Sequence, residues 1–471
     1  MKRIQQLLIA TTIATATLLT TAYAGLRDNT PDYEKIAEKG FAYGFPLVLM
    51  DVTKEGSTGA EPTCGFAAPL NSFLHVKDIP NHEFRAVVRP NVDTLYSSAF
   101  LDLSEGPLTL ALPGVADRYI LMAFLDAWSN NFAGLGTPTN TAEPGAYFIT
   151  GPKWKGKVPR GYSHISSPTN TAWIIGRSEI KHANDIANVN QLQDLYQLAP
   201  YDRSRTLDTL PDCVDVEDKI APPDEVLSMN SIAFFKRLSR LMIQNPPPSA
   251  DKAILEELKL IGVGASIKNP LETLSQEIRQ AVASGVEKAI NKAKFSLSQL
   301  GRRADWSPNP SLVPLGDYGT DYGIRYLVAL EGFGANRGEY AVYQNAGQDS
   351  NQEALSGEHS YSLTFSANEL PPADAFWSVT VYDKEGYLVE NTEQRYAVGS
   401  NSSMALNADG SLTVYFAKTQ PEEAPNNNWV PTPDGEFGLT LRLYSPQESV
   451  LNGDWQAPGI EKLGSKKRRF R

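Results

Sequence analysis

Two long stretches of this chain, residues 83–179 and 359–444, are built from short apolar runs with strand-like punctuation. In both stretches, Pro, Gly, Asn or Asp separates one apolar or aromatic run from the next. This spacing is typical of β-strands joined by turns in a sandwich or jelly roll, and not of alternating strand–helix units. The pattern therefore predicts two β domains.

Apolar residues recur at helical spacing in three further stretches, 33–50, 224–300 and 317–331. In the first stretch we expect Gly40, Gly44 and Pro46 to interrupt or end the helix. In the second, charged residues separate the apolar positions, and three consecutive prolines at 246–248 are expected to end one helix. This second stretch is expected to be a helical insert that bridges the two β domains.

Together these patterns predict a mainly β protein of the α+β class, with two tandem jelly-roll-like sandwiches and a helical insert. A chain of 471 residues is long enough for about three domains and for a substantial core. The expected divisions are a signal peptide (1–24), an N-terminal helix with the first sandwich (25–223), the helical insert (224–316), a leading helix with the second sandwich (317–460) and a basic tail (461–471).

The two β-rich stretches also resemble each other. Residues 108–126 run from Leu-Thr-Leu through a Leu-Pro pair to an apolar strand that ends in Asp126. Residues 363–383 follow the same order and end in Asp383. Tandem copies of one sandwich would explain this likeness, and chance similarity between strands is the alternative.

The N-terminus has the pattern of a secretory signal peptide. Lys2 and Arg3 precede an uncharged run at 7–21, and the small-x-small sequence Ala-Tyr-Ala at 22–24 follows. We therefore expect export to the periplasm or secretion, with an uncleaved N-terminal anchor as the alternative. No other segment has membrane-spanning length, so no transmembrane segment is expected after cleavage.

Charge and cysteine content narrow the classes of partner. The formal net charge is −11, which would repel nucleic acid over most of the surface. The basic residues at 466–471 are expected to be a frayed terminus, with an anchor to an anionic surface as the alternative. Cys64 and Cys213 lie in Pro- and Gly-containing loops and could pair in an oxidising compartment, or stay separate thiols.

Motifs for known catalytic chemistry are missing from the sequence. There is no Gly-x-Ser-x-Gly, His-Glu-x-x-His or Cys-x-x-Cys pattern. The glycines at 332, 334 and 338 are spaced one residue too widely for a dinucleotide-binding loop, and they follow a predicted helix instead of a strand. We accordingly expect no metal and no cofactor.

Polar and aromatic residues gather where predicted strands begin or end. The candidate ligand-binding residues are Arg89, Asn91, Asp93, Tyr96, Trp128, Asp321, Tyr322, Arg325, Trp377 and Tyr382. Asp321 and Arg325 have the spacing of an ion pair on one helix face. Such residues can cap turns and fill sandwich cores, or they can line a groove in which rings stack on a ligand and polar groups bind its edge.

Several motifs follow one another in order along nearly all of the mature chain. They are Tyr-Gly-Phe-Pro-Leu-Val at 43–48, Arg-Pro-Asn-Val-Asp-Thr-Leu-Tyr at 89–96, Tyr-Gly-Thr-Asp-Tyr at 318–322, Phe-Trp-Ser-Val-Thr-Val-Tyr-Asp at 376–383 and Leu-Arg-Leu-Tyr at 441–444. In these motifs the chain resembles an exported bacterial family that fuses two domains of unknown function, catalogued as DUF1254 and DUF1214. The resemblance implies tandem jelly-roll-like sandwiches with helical additions, and it implies no reaction.

Three hypotheses for function follow from these residues. The first is an exported protein that binds a glycan or another small polar molecule in a polar–aromatic groove. The second is a hydrolase in the same groove, with Asp93 and Asp126 as its acid–base carboxylates because they close neighbouring predicted strands. The third is a structural protein that forms homo-oligomers. Whether the protein is an enzyme stays open at this point.

Overall fold

The computed structural model describes residues 31–85, 87–137, 143–205, 207, 209–215, 219–300, 306 and 315–464. The predicted signal peptide and residues 465–471 of the predicted tail lie outside this part of the chain. None of the helices described there is long and apolar enough to cross a membrane.

The first β-sandwich consists of two open sheets. Its strands are β1 (Leu74–His75), β2 (Thr94–Asp102), β3 (Leu108–Leu112), β4 (Ile120–Asp126), β5 (Asn131–Gly136), β6 (Gly145–Thr150), β7 (Ser163–Ser166), β8 (Thr171–Glu179) and β9 (Gln197–Pro200). One sheet has the order β1-β2-β8-β4-β5 and the other β7-β6-β3-β9. Alternate side chains from both sheets, such as Leu101, Leu110 and Phe124, form one core between them.

The second β-sandwich is built in the same way. Its strands are β10 (Ala341–Ala346), β11 (Tyr361–Phe365), β12 (Ala373–Asp383), β13 (Ala397–Gly399), β14 (Leu412–Ala417), β15 (Trp429–Pro431), β16 (Phe437–Pro446) and β17 (Ile460–Lys462). Its sheets have the orders β10-β16-β12-β13 and β15-β14-β11-β17. Leu363, Val379 and Leu441 lie in the core that they enclose.

The two sandwiches share one topology, strand for strand. In chain order β2 to β9 correspond to β10 to β17 with the same neighbours, and the short edge strand β1 has no counterpart among the described strands. The pairing sense also agrees, because β6–β7 and β14–β15 are parallel and all the other corresponding pairs are antiparallel. This agreement favours tandem copies of one sandwich over chance similarity.

The aspartates that end β4 and β12 make the same turn. The Asp126 carboxylate accepts hydrogen bonds from the backbone N–H groups of Trp128 and Asn130, both at 2.9 Å. The Asp383 carboxylate accepts them from the residues two and four positions later, at 3.0 and 2.8 Å. Asp126 and Asp383 are therefore equivalent positions in the two copies.

The helices are α1 (Tyr33–Thr58), α2 (Ile186–Gln193), α3 (Pro222–Ser228), α4 (Ser231–Gln244), α5 (Lys252–Lys259), α6 (Gln276–Leu300), α7 (Tyr322–Glu331) and α8 (Glu448–Leu451). Six of these helices form a separate apolar core, whereas α2 packs on the first sandwich and α8 on the second. Buried side chains of α1, α4, α6 and α7 belong to one cluster, so helices from three predicted segments pack together. The α+β class is confirmed, while jelly-roll connectivity and the domain boundaries stay predictions.

Helix α1 corrects one expectation, because it runs unbroken through Gly40, Gly44 and Pro46. The two glycines serve helix packing. A Cβ atom at Gly40 would lie 2.5 Å from a methyl carbon of Leu258, and one at Gly44 would lie 2.4 Å from a methyl carbon of Leu238. The buried contacts of α1 outweigh the poor helix propensity of these three residues.

The two sandwiches pack through their outer faces. Leu121 and Ile175 of the five-stranded sheet share an apolar cluster with Phe376 and Tyr444 of the second sandwich. The rings of Phe376 and Tyr444 stack with centroids 4.1 Å apart. Side chains on the outer faces of β2, β8, β10, β12 and β16 are thus brought together between the copies.

Candidate functional site

Beside this apolar contact lies a polar group of residues, which we call the interdomain cluster. It consists of Asn91, Asp93, Tyr96, Arg177, Tyr343, Tyr382, Arg442 and Tyr444. The first four come from the first sandwich and the others from the second. Charged and phenolic groups from both copies therefore meet between the sheets.

The two arginines of the cluster are equivalent in the duplicated fold. Arg177 pairs with Tyr96 across β8 and β2, and Arg442 pairs with Tyr343 across β16 and β10. Asp126 pairs with Ala172 and Asp383 pairs with Phe437, and each arginine follows that partner by five residues along the strand. Each guanidinium carbon also lies over the ring of its paired tyrosine, at 5.1 Å in the first copy and 5.8 Å in the second.

Both guanidinium groups are buried, with 6% of Arg177 and 4% of Arg442 exposed. Arg442 donates hydrogen bonds to the hydroxyls of Thr380 (2.8 Å) and Tyr382 (2.6 Å) and to the carbonyl of Arg89 (3.2 Å). Arg177 Nη1 donates to Asn336 at 2.9 Å, whereas its Nε has no partner. Within the described ranges, neither arginine forms an ion pair with a carboxylate.

Asp93 is the acidic member of the cluster. Its Oδ2 accepts hydrogen bonds from Ser378 Oγ at 2.6 Å and from the Tyr444 hydroxyl at 3.3 Å. Burial raises the pKa of Asp93 above its usual value, and this outweighs the lowering by Arg442 and the two hydrogen bonds. Burial also acts to raise the pKa of the Tyr96 phenol, but Arg177, Asn91 and Arg442 together outweigh it, so the pKa is lowered.

The cluster is not sealed. Asp93, Tyr96 and Tyr343 are half-buried although they lie between two packed sheets, and Arg89 at the edge is half-buried too. Residues that served only as internal contacts between the sheets would be expected to be fully buried.

Five of the predicted ligand-binding residues come together here, namely Arg89, Asn91, Asp93, Tyr96 and Tyr382. The Tyr382 hydroxyl donates to the carbonyl of Pro90 at 2.6 Å. Trp377 is a wrong prediction, because it points into the core of the second sandwich and its ring packs against Phe365 at 5.3 Å. Side chains alternate along a strand, so Trp377 and Tyr382 cannot face the same side.

The sequence reasoning missed Arg177, Tyr343 and Asn336. Arg177 was hidden in an apolar strand, and Tyr343 in a segment that no prediction covered. The signal that could have found the first two is the internal repeat. When the two copies are aligned on Asp126 and Asp383 and the alignment is extended to the strands paired with them, Arg177 falls at the same position as Arg442.

Three other predicted residues form a second group, the Arg325 cluster. The guanidinium of Arg325 is fully buried and lies over the rings of Tyr43 (5.5 Å), Trp128 (5.5 Å) and Tyr322 (5.3 Å). The Tyr322 hydroxyl donates to the Asp251 carboxylate at 2.9 Å. This cage belongs to the helical core, so Trp128, Tyr322 and Arg325 are contacts within the fold, away from the interdomain cluster.

Asp321 does not pair with Arg325 as predicted. Its exposed carboxylate caps helix α7 by accepting a hydrogen bond from the N–H of Ile324 at 3.0 Å. Arg325 is drawn into the aromatic cage instead. Burial among these rings is the physical reason why the helix-surface spacing did not produce an ion pair.

The paired-carboxylate hypothesis is wrong for Asp93 and Asp126. Asp93 directly precedes the β2 residue that pairs with Glu179, and Asp126 pairs with Ala172 of the same strand β8. Eight residues of extended strand separate these positions by about 26 Å, far beyond the spacing of glycosidase carboxylates. Burial raises the pKa of Asp126 to about 6, with Asn130, Arg325 and Trp128 acting in the opposite direction.

Other features of the described residues offer less chemistry. A surface groove of about 360 Å³ lies at the edge of the first sandwich, and none of the predicted site residues lines it. Among the described side chains, no three His, Cys, Asp or Glu residues are placed to hold a metal ion. Cys64 and Cys213 form a disulfide with Cα atoms 5.0 Å apart.

Comparison with known proteins agrees with this architecture. A family model described as a protein of unknown function, DUF1254, matches residues 70–200, and a second, DUF1214, matches residues 340–448. The chain is a DUF1254–DUF1214 fusion. The resemblance inferred from its motifs is thereby confirmed.

Two solved structures are similar to this chain over most of its length. The VPA0106 protein from Vibrio parahaemolyticus has 20% identity and a TM-score of 0.68, covering 92% of this chain and 100% of its own. An uncharacterised protein from Burkholderia cenocepacia has 13% identity and a TM-score of 0.45, covering 95% of this chain and 98% of its own. Among curated proteins, none matches the fusion.

Proposed function

We propose that this protein is exported and binds a small polar molecule at the interdomain cluster. The observation that carries the proposal is the partial exposure of Asp93, Tyr96 and Tyr343 between two packed sheets. Interdomain clefts with a few convergent polar groups are common ligand sites. Carbohydrate-like and small organic molecules both suit a site of phenols, guanidinium groups and one carboxylate.

The hydrogen bonding of Arg177 also supports binding over internal bracing. Buried polar groups in native proteins nearly always have partners, and a buried charge without one is costly. Arg177 leaves its Nε unpartnered beside the half-buried Tyr96. A ligand that accepts a hydrogen bond there would offset this cost.

Export is part of the same proposal. The N-terminal pattern predicts a signal peptide, and the Cys64–Cys213 disulfide is of the kind that persists in an oxidising compartment. Localisation of an epitope-tagged full-length chain by cell fractionation tests this part. Retention in the cytoplasm with both thiols free would contradict it.

Binding can be tested with thermal-shift and calorimetric titrations of a glycan and metabolite panel. The matched variants are Asp93→Asn in the cluster and Asp383→Asn in the equivalent turn of the second copy. We expect a panel member to bind and Asp93→Asn to change its affinity, while Asp383→Asn leaves it unchanged. No binding, with Asp93→Asn altering only stability, would show that the cluster is a brace.

A further inference from the structure

We infer that the ligand of the interdomain cluster is a small oxyanion, a carboxylate or a phosphate ester, bound at Arg177. This inference rests on the proposed function and specifies its ligand class. It follows from the charge balance, the free donor and the duplication of the site.

The charge balance of the cluster is positive. Arg177, Arg442 and the neighbouring Arg89 contribute three guanidinium groups, while the Asp93 carboxylate acts on Arg442 and the Glu331 carboxylate acts on Arg89. The ionisable groups that act most strongly on Arg177 are the phenols of Tyr96, Tyr343 and Tyr119. A phenol that keeps its proton does not compensate a buried positive charge, so a bound anion would neutralise Arg177.

The two arginines have different roles in this arrangement. The Nη atoms of Arg442 are held by protein oxygen atoms of Thr380, Tyr382 and Arg89, so Arg442 mainly contributes positive potential. Arg177 is held through Nη1 by Asn336, whose own side chain donates to the Tyr343 hydroxyl at 3.1 Å. Its Nε–H stays free to donate, and charge-assisted hydrogen bonds to oxyanions are among the stronger polar contacts.

The duplication explains why the positive charges converge. Equivalent strands carry Arg177 and Arg442 on outer faces, and the two copies pack with these faces toward each other. Each copy carries one buried arginine on its outer face, so two guanidinium charges meet at the contact between the sandwiches. The resulting positive potential favours anions over cations and over neutral sugars.

The test is calorimetric titration of the oxidised full-length protein with three size-matched sets: short organic carboxylates, phosphate esters and neutral sugars. We expect one anionic set to bind, and Arg177→Met to weaken that binding by roughly 10–100-fold. Arg240→Met, at an exposed position of helix α4, removes the same charge and should leave affinity unchanged. Arg177→Lys, which keeps the charge without the Nε donor, serves if Arg177→Met does not fold and should also weaken binding.

The outcomes separate this inference from the proposed function. Sugar binding that is unaffected at Arg177 would overturn the oxyanion and leave the proposed function intact. No binding by any set would overturn both. Phenolate absorbance at neutral pH that disappears in Tyr96→Phe would show that Tyr96 already neutralises Arg177, and this would also overturn the oxyanion.

Discussion

Replacing Asp126 with Asn should change how stability depends on pH, without disrupting the turn. Asp126 is 3% exposed and its pKa is raised to about 6, mainly because burial disfavours the charged carboxylate. A raised carboxyl pKa means that the folded state binds the proton more tightly than the unfolded state. Stability from this group is therefore present at low pH and is lost as pH rises from 3.8 through about 6.

The size of the effect follows from the shift. A shift of about two pKa units corresponds to ~3 kcal/mol once both transitions are complete. Between pH 4 and pH 7.5 roughly 2 kcal/mol of it should appear as lost stability in the wild type. The Asn side chain carries no charge and can still accept the two backbone hydrogen bonds, so Asp126→Asn should escape this loss.

Denaturant unfolding of the oxidised protein at both pH values measures the difference. The control is Asp383→Asn, because Asp383 makes the same turn but keeps part of its surface in solvent. Relative to the wild type, Asp126→Asn should gain about 2 kcal/mol between pH 4 and pH 7.5, and Asp383→Asn should gain much less. An equal and pH-independent change in both variants would refute the reasoning.

Three further predictions concern stability. Gly285→Ala should destabilise the fold by about 1–3 kcal/mol in denaturant unfolding, because the new Cβ would lie 2.2 Å from the carbonyl oxygen of Glu34. Gly56→Ala, whose Cβ would make only an ordinary contact at 3.9 Å with Thr63 Oγ1, should be neutral or mildly stabilising. Reducing the Cys64–Cys213 disulfide, which closes a loop of 149 residues, should lower the free energy of unfolding by up to ~5 kcal/mol, and an unchanged melting temperature after reduction would contradict this. Tyr382→Phe should cost about 1–3 kcal/mol, because it removes a buried hydroxyl that donates to a carbonyl and accepts from Arg442; no loss of stability would argue against that bond.

Local patterns in the sequence predicted much of the fold. The apolar spacing in 224–300 and 317–331 indicated helices α4, α6 and α7, and the repeat at Asp126 and Asp383 pointed to the duplication that the strand order bears out. The glycines of α1 were misjudged, since only tertiary packing shows that they make room for Leu258 and Leu238.

The candidate site was harder to predict, because it depends on strand order and on which face each side chain occupies. Asp93 and Asp126 close β2 and β4, but β8 lies between these strands and holds the two residues at opposite ends. Trp377 could have been excluded from the sequence alone, since its parity differs from that of Tyr382. Arg177 needed the alignment of the two copies across paired strands, which no single motif contains.

The most direct test of ligand binding between the sandwiches is a crystal structure with the tightest-binding anion of the panel. We predict that an oxygen atom of the anion accepts a hydrogen bond from Arg177 Nε, with the Tyr96 ring beside it. An anion bound only in the surface groove at the edge of the first sandwich, with the interdomain cluster closed by its own side chains, would contradict the account.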